Sequence, residues 1–176
     1  MRVGTTLYKV VNQPCASGGY EKRRVIWNNS TLRQDYGKNY LATVPKYDGF
    51  CTVPDHLNYR KEIDGFLNLY EPIEHTPQIG DFPNIRSLVL HIFGEQYNLG
   101  LDYLQLLFLQ PLQKLPILLL VSEERNTGKS TFLNFLKAVF GDNVTFNTNE
   151  DFRSQFNSDW AGKLLIVVDE VLLNRR

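Results

Sequence analysis

The sequence predicts an α/β fold with a parallel-sheet core in its C-terminal third. Three observations carry this. Ile117-Leu118-Leu119-Leu120-Val121 is a continuous aliphatic run of strand length. Phe132, Phe135, Leu136, Val139 and Phe140 then recur at helical spacing and are closed by Gly141. Leu164-Leu165-Ile166-Val167-Val168 is a second aliphatic run, ending in Asp169-Glu170. Uninterrupted aliphatic strands belong to sheets covered on both faces, and a 3.6-residue period belongs to a helix with one buried side. Strands 117–121 and 164–168 are therefore expected in one parallel sheet, with helix 129–140 packed on it through Phe132, Phe135, Leu136 and Val139 and a right-handed crossover between them.

The elements before this core divide by composition. Residues 1–80 are rich in Tyr, Gly, Pro and Asn with short apolar runs such as Arg24-Val25-Ile26-Trp27, which predicts a small N-terminal accessory region of mixed or β-rich character. Asp35, Asp48 and Asp55 are scattered beside turn residues, the usual habitat of solvated aspartate, and no catalytic constellation stands out there. Residues 81–115 are predicted as a helical segment. Pro83 suits a first helical turn, Ile85, Leu88, Val89, Ile92 and Phe93 form a stripe, and Gly94 ends it. A second helix carries Leu101, Leu104, Leu107 and Phe108 and stops at Pro111. Within the first of these, His91 reads as a core or boundary histidine. Residues 116–176 are expected to form the N-terminal half of an α/β core.

Composition excludes several functions. With 176 residues, 43% of them hydrophobic, the chain has material for a sizeable core and is not disordered. Nineteen basic and nineteen acidic side chains give a formal charge of zero, which argues against a dedicated DNA-coating or membrane-surface protein. The one tight basic run, Lys22-Arg23-Arg24, reads as a solvated turn. Two cysteines, Cys15 and Cys51, without a C-x-x-C pair exclude a disulfide scaffold and a cysteine zinc site. His56, His75 and His91 form no ligand pair. No signal peptide is visible at the N-terminus, and Leu104–Val121 is too interrupted by Gln, Lys and Pro to span a membrane. A cytoplasmic location, in a bacterial host or phage-infected cell, is expected.

Between the first strand and the helix stands Gly128-Lys129-Ser130, the heart of a phosphate-binding loop. Backbone N–H groups at a helix N-terminus favour an anion. Gly128 allows close approach of backbone to phosphate, Lys129 can place a point charge on the outer phosphates, and the Ser130 hydroxyl can ligate magnesium. Asn126, Thr127 and Thr131 complete the candidate nucleotide-binding set. The tripeptide alone would arise by chance in roughly one chain in ten to twenty of this length, so the flanking elements decide the reading. Asp169 lies 40 residues after Lys129 at the end of an aliphatic strand, where an acid holds the magnesium shell, and Glu170 is placed to activate water. Lys129 and Glu170 are the candidate catalytic residues. One departure is Glu123, at the position five before Gly128 that usually holds glycine.

The stretch LPILLLVSEERNTGKSTFLNFLKAVFGDNVTF, followed by DWAGKLLIVVDE, resembles phage and prophage primase–helicase proteins of helicase superfamily 3. The resemblance covers 116–176 and extends over 83–115 as the helical segment before the motor. It implies an AAA+-like P-loop ATPase that couples ATP hydrolysis to DNA unwinding, with ATP and magnesium as cofactors and DNA and a homo-oligomeric ring in the full-length protein. By motif position, Lys129 and Ser130 would bind phosphates and magnesium, Asp169 would coordinate magnesium and Glu170 would activate water. The chain ends six residues after Glu170, before the family's sensor residue and arginine finger. A truncated motor, weakly active or inactive alone and monomeric or in a non-ring assembly, is the corresponding expectation. Two other readings remain: a P-loop nucleotide or small-molecule kinase, and a non-catalytic nucleotide-binding or interaction module.

Overall fold

The computed structural model describes residues 1–14, 20–148, 160 and 162–168. It is a mixed α/β structure of helices and small sheets, and the chain divides into two compact units: Met1–Thr52 with Lys61–Leu69, and Val53–Arg60 with Tyr70–Arg176.

In the first unit, strands β1 (Arg2–Val3), β2 (Thr6–Pro14), β3 (Tyr20–Ile26) and β4 (Lys46–Tyr47) form one sheet in the order β3-β2-β1-β4. The β2–β3 pair is antiparallel with Tyr8 opposite Ile26 and Val11 opposite Arg23. Lys22, Arg23 and Arg24 therefore lie within a strand, not in the solvated turn the charge run predicted: Val25 and Ile26 continue the run as β-branched residues that favour a pleated surface. Helices α1 (Asn29–Tyr36) and α2 (Tyr40–Thr43) follow. Asn28 caps α1, its side-chain oxygen accepting the Ser30 N–H at 2.9 Å, which satisfies an otherwise orphan donor. Strands β5 (Gly49–Cys51), β6 (Glu62–Ile63) and β7 (Phe66–Asn68) make a second small sheet in the order β5-β7-β6. Val3, Leu32, Val44 and Leu67 are the buried aliphatic residues of this unit.

The second unit holds α3 (Pro83–Phe93), α4 (Tyr97–Leu109), α5 (Lys129–Phe140), β8 (Val144–Asn147) and β9 (Leu165–Val168). The three helices fall where the apolar periodicity placed them, with Pro83 in the first turn of α3 and glycines closing α3 and α5. Val89, Leu107, Phe132, Leu136, Phe140, Val144 and Val167 form the core, so α5 presents Phe132, Leu136 and Phe140 at i, i+4 and i+8. Each such side chain contributes about 1.5–3 kcal/mol by leaving water. Gly100 in α4 is needed for close approach, since a Cβ there would sit 2.5 Å from the Phe93 ring. Asn143 is buried yet satisfied: its side-chain oxygen accepts the Glu71 N–H at 3.0 Å and its amide donates to the Glu71 and Phe140 carbonyls at 2.8 and 3.1 Å. His56 stacks on Phe108 at 5.1 Å between ring centroids and shares a hydrogen bond with the Tyr70 hydroxyl at 2.9 Å. Burial lowers the His56 pKa, opposed by the Leu107 carbonyl and Asp55, and burial raises that of Tyr70.

The predicted sheet differs in one respect. β9 is parallel, but its partner is β8, in the register Val144↔Leu165 through Asn147↔Val168. Among the described residues, 117–121 is in no ladder. Both segments line a cavity of about 820 Å³. The run is also one-sided. Leu118 and Leu120 pack against the core, while Ile117, Leu119 and Val121 are exposed by 95%, 80% and 79%. No described helix is long and apolar enough to cross a membrane.

Candidate functional site

The loop 122–128 is shaped by its own polar residues. Asn126 and Gly128 both have positive φ, 59° and 82°, and they bracket Thr127 in a sharp turn. Asn is the side chain most tolerant of this region after glycine. Gly128 has ψ 0° and sits at the N-cap of α5, where its carbonyl accepts the Phe132 N–H at 2.9 Å. A Cβ at Gly128 would meet His91 Cδ2 at 3.4 Å, an ordinary contact, so the left-handed backbone rather than space is what requires glycine.

Lys129 opens the helix and folds its side chain back over the loop. Its ammonium donates to the Ser122 hydroxyl and, at 2.8 Å, to the Thr127 hydroxyl. Those two hydroxyls lie 3.0 Å apart, and Ser122 Oγ is 2.8 Å from the Glu124 carbonyl oxygen. On the other side, His91 Nε2 is 3.2 Å from the Thr127 carbonyl oxygen, and donates to it in the Nε2–H tautomer. Lys129 is half-buried, while Ser130 and Thr131 are exposed in the first turn of α5. The N-cap residue, Gly128, has no side chain with which to cap this helix start. The first turn of a helix has backbone N–H groups without intrahelical partners and carries a partial positive charge.

Of the predicted site residues, the structure brings Asn126, Thr127, Gly128, Lys129, Ser130 and Thr131 together around one helix N-terminus. Asp169 and Glu170 lie outside the described residues. Glu123, at the unusual position, is exposed, as is Glu124. Carboxylates in water are screened within about a Debye length of ~10 Å at ordinary salt. Sequence reading missed Ser122 and His91. Ser122 precedes Lys129 by seven residues with no motif to mark it, and His91 read as a core or boundary side chain on α3 but is exposed and reaches the loop. Chemically, an ammonium, hydroxyls at 122, 127, 130 and 131 and a helix N-terminus make a donor set suited to a phosphate-sized anion.

A family described only as "Family of unknown function (DUF5906)" matches residues 120–176. No curated protein matches the chain. Three solved structures of the NrS-1 C-terminal region are similar in fold. One apo structure of residues 305–718 has a TM-score of 0.63 at 22% identity, over 93% of this chain and 43% of that one. An A-form apo structure of the same residues gives 0.60 at 21%, over 96% and 45%. Another A-form apo structure gives 0.58 at 20%, over 86% and 40%. The chain thus spans less than half the length of these neighbours and shares their fold.

Proposed function

We propose that residues 122–131 bind the phosphates of ATP, and that the chain is the ATP-binding part of a DNA-replication helicase of the primase–helicase kind. The observation that carries the reading is the left-handed Gly128 at the start of α5, with the Lys129 ammonium held over the loop by the Ser122 and Thr127 hydroxyls. Those hydroxyls keep the charge at the loop mouth, so little side-chain entropy is lost when phosphate oxygens take their place. Lys129 stabilises charge on the outer phosphates, and the amides of the first helical turn orient them. Ser130, with Asp169, is the pair that would hold magnesium, whose chemistry is to neutralise the phosphate charge. Glu170 is assigned to orient the attacking water. The resemblance to superfamily 3 helicases and the fold shared with the NrS-1 C-terminal region support this reading.

The test is thermal or urea unfolding with magnesium–ATP and with the slowly hydrolysed analogue ATPγS. At about a hundred times its dissociation constant, nucleotide should add about 2.7 kcal/mol to wild-type stability. Lys129→Ala should lose that gain. If both proteins unfold identically with and without saturating nucleotide, the reading is wrong.

A further inference from the structure

The zero net charge of the chain conceals a strongly basic sheet. Strands β1–β4 contain Arg2, Lys9, Lys22, Arg23, Arg24 and Lys46 against one acidic residue, Glu21. The registers sort the side chains. Arg2 lies opposite Leu7 and beside Lys46; Lys9, two residues on from Leu7, lies opposite Val25; Arg23 lies opposite Val11. Side chains alternate along a strand and opposed residues share a face. Arg2, Lys9, Arg23 and Lys46 therefore stand on one face, and Lys22 and Arg24 on the other. Trp27 shares the first face. Its backbone N–H donates to the Leu7 carbonyl at 2.8 Å, and Lys9 Nζ sits 4.5 Å from its ring centroid. Tyr36 meets Trp27 edge-on at 5.6 Å, and Tyr40 stacks on Tyr36 at 4.6 Å. A cavity of about 610 Å³, lined by Arg2, Lys46, Trp27 and Asn29 among others, opens beside them.

We propose that this face is a binding platform for single-stranded nucleic acid. The guanidinium and ammonium groups spread along four strands match a phosphate backbone in charge, and Trp27, Tyr36 and Tyr40 offer ring surfaces for unpaired bases. Stacking on aromatic side chains beside a basic groove is the physics of sequence-tolerant single-strand binding. Duplex bases are already stacked and offer these rings nothing. The platform goes beyond the nucleotide site and does not depend on it.

The experiment is fluorescence anisotropy of the whole chain with labelled single-stranded DNA and RNA of one sequence and with the DNA duplex, in buffer free of nucleotide and magnesium. A failure here then leaves the nucleotide reading standing. Four phosphate contacts give a slope of log affinity on log salt of about −2.8, roughly a fiftyfold loss between about 50 and 200 mM salt. Arg2→Ala/Lys9→Ala/Arg23→Ala together should reduce the slope to about −0.7 and the low-salt affinity by at least about tenfold. Arg86→Ala/Lys114→Ala should leave both unchanged. Bound strands should quench tryptophan fluorescence in wild type and not in Trp27→Phe, and inorganic polyphosphate or anionic phospholipid vesicles should not reproduce the quench. Equal DNA and RNA binding marks a platform that reads phosphates and base faces, and a preference for one sugar names the natural strand. No salt-dependent binding by wild type overturns the proposal. So does tighter binding of duplex, equal loss in the control pair, or a quench that survives in Trp27→Phe. Should the triple variant fail to fold, the wild-type quench decides alone, and its absence overturns the platform.

Discussion

Helix α5 and the aliphatic run 117–121 stand on either side of one loop, and both are built of large apolar side chains. α5 makes its backbone hydrogen bonds within itself and with its two capping glycines, and needs neighbours only along one stripe, which α3, α4, β8 and β9 supply. An extended run has no such autonomy. It needs a second backbone at about 4.8 Å for its ladder and a cover on each face. Leu118 and Leu120 find cover, but Ile117, Leu119 and Val121 do not, and the run lines a cavity together with β9 instead of pairing with it. The contrast teaches that apolarity states a demand for burial, whereas the helical period also states how the demand is met.

The strongest way to break this contrast is to remove the helix's anchor. Phe132 is fully buried and meets Phe93 edge-on at 5.6 Å. Phe132→Ala should cost about 3–5 kcal/mol, the range for emptying a buried aromatic site, read as a shift of the urea midpoint at unchanged slope. A cost under about 1 kcal/mol, no more than a surface position, would mean that α5 is not the centre of this core.

The same contrast explains what the sequence made legible. The bounds of α3 and α5 were readable because Pro83, Gly94, Gly128 and Gly141 punctuate periods that need no distant partner. The Gly128-Lys129-Ser130 turn was readable because the conformation is local. β9 was readable as a strand but not as the partner of β8, because pairing is decided between segments distant in sequence. Lys22–Arg24 were misread for a related reason. Three charges in a row describe solvation, and Lys22 to Ile26 of β3 are all exposed, so a strand satisfies that pattern as well as a turn does. Ser122 and His91 were invisible because their roles exist only after the loop closes on α3 and α5.

An intermediate effect belongs to the hinge between the two regions. Gly128 holds φ 82° at the start of α5. Gly128→Ala should cost about 1–2 kcal/mol, the price of placing a side chain in left-handed backbone. Because Phe132 holds the rest of the helix, the loss should appear as fraying at 129–131, visible as faster amide exchange there than at 136–140. Uniform acceleration along α5 would show that the glycine sets the whole helix rather than its first turn.

The smallest effect sharpens the comparison most, because it separates the two sides of the aliphatic run. Leu119 is 80% exposed and Leu118 packs on the core. Leu119→Thr removes apolar surface that is already in water and substitutes a β-branched residue suited to extended backbone. Its cost should lie within about 0.5 kcal/mol, as for surface positions generally. Leu118→Thr withdraws apolar contact and buries a hydroxyl, and should cost about 1–2 kcal/mol. Paired urea unfolding of the two variants reads the difference directly. Equal and large costs would mean that 117–121 is covered on both faces in solution, as its composition demands, and that another strand or a second copy fills the cavity beside β9. Equal and small costs would mean that the run is not anchored even on the side where Leu118 and Leu120 face the core. Only the unequal result keeps it as a one-sided extended segment whose second face meets water.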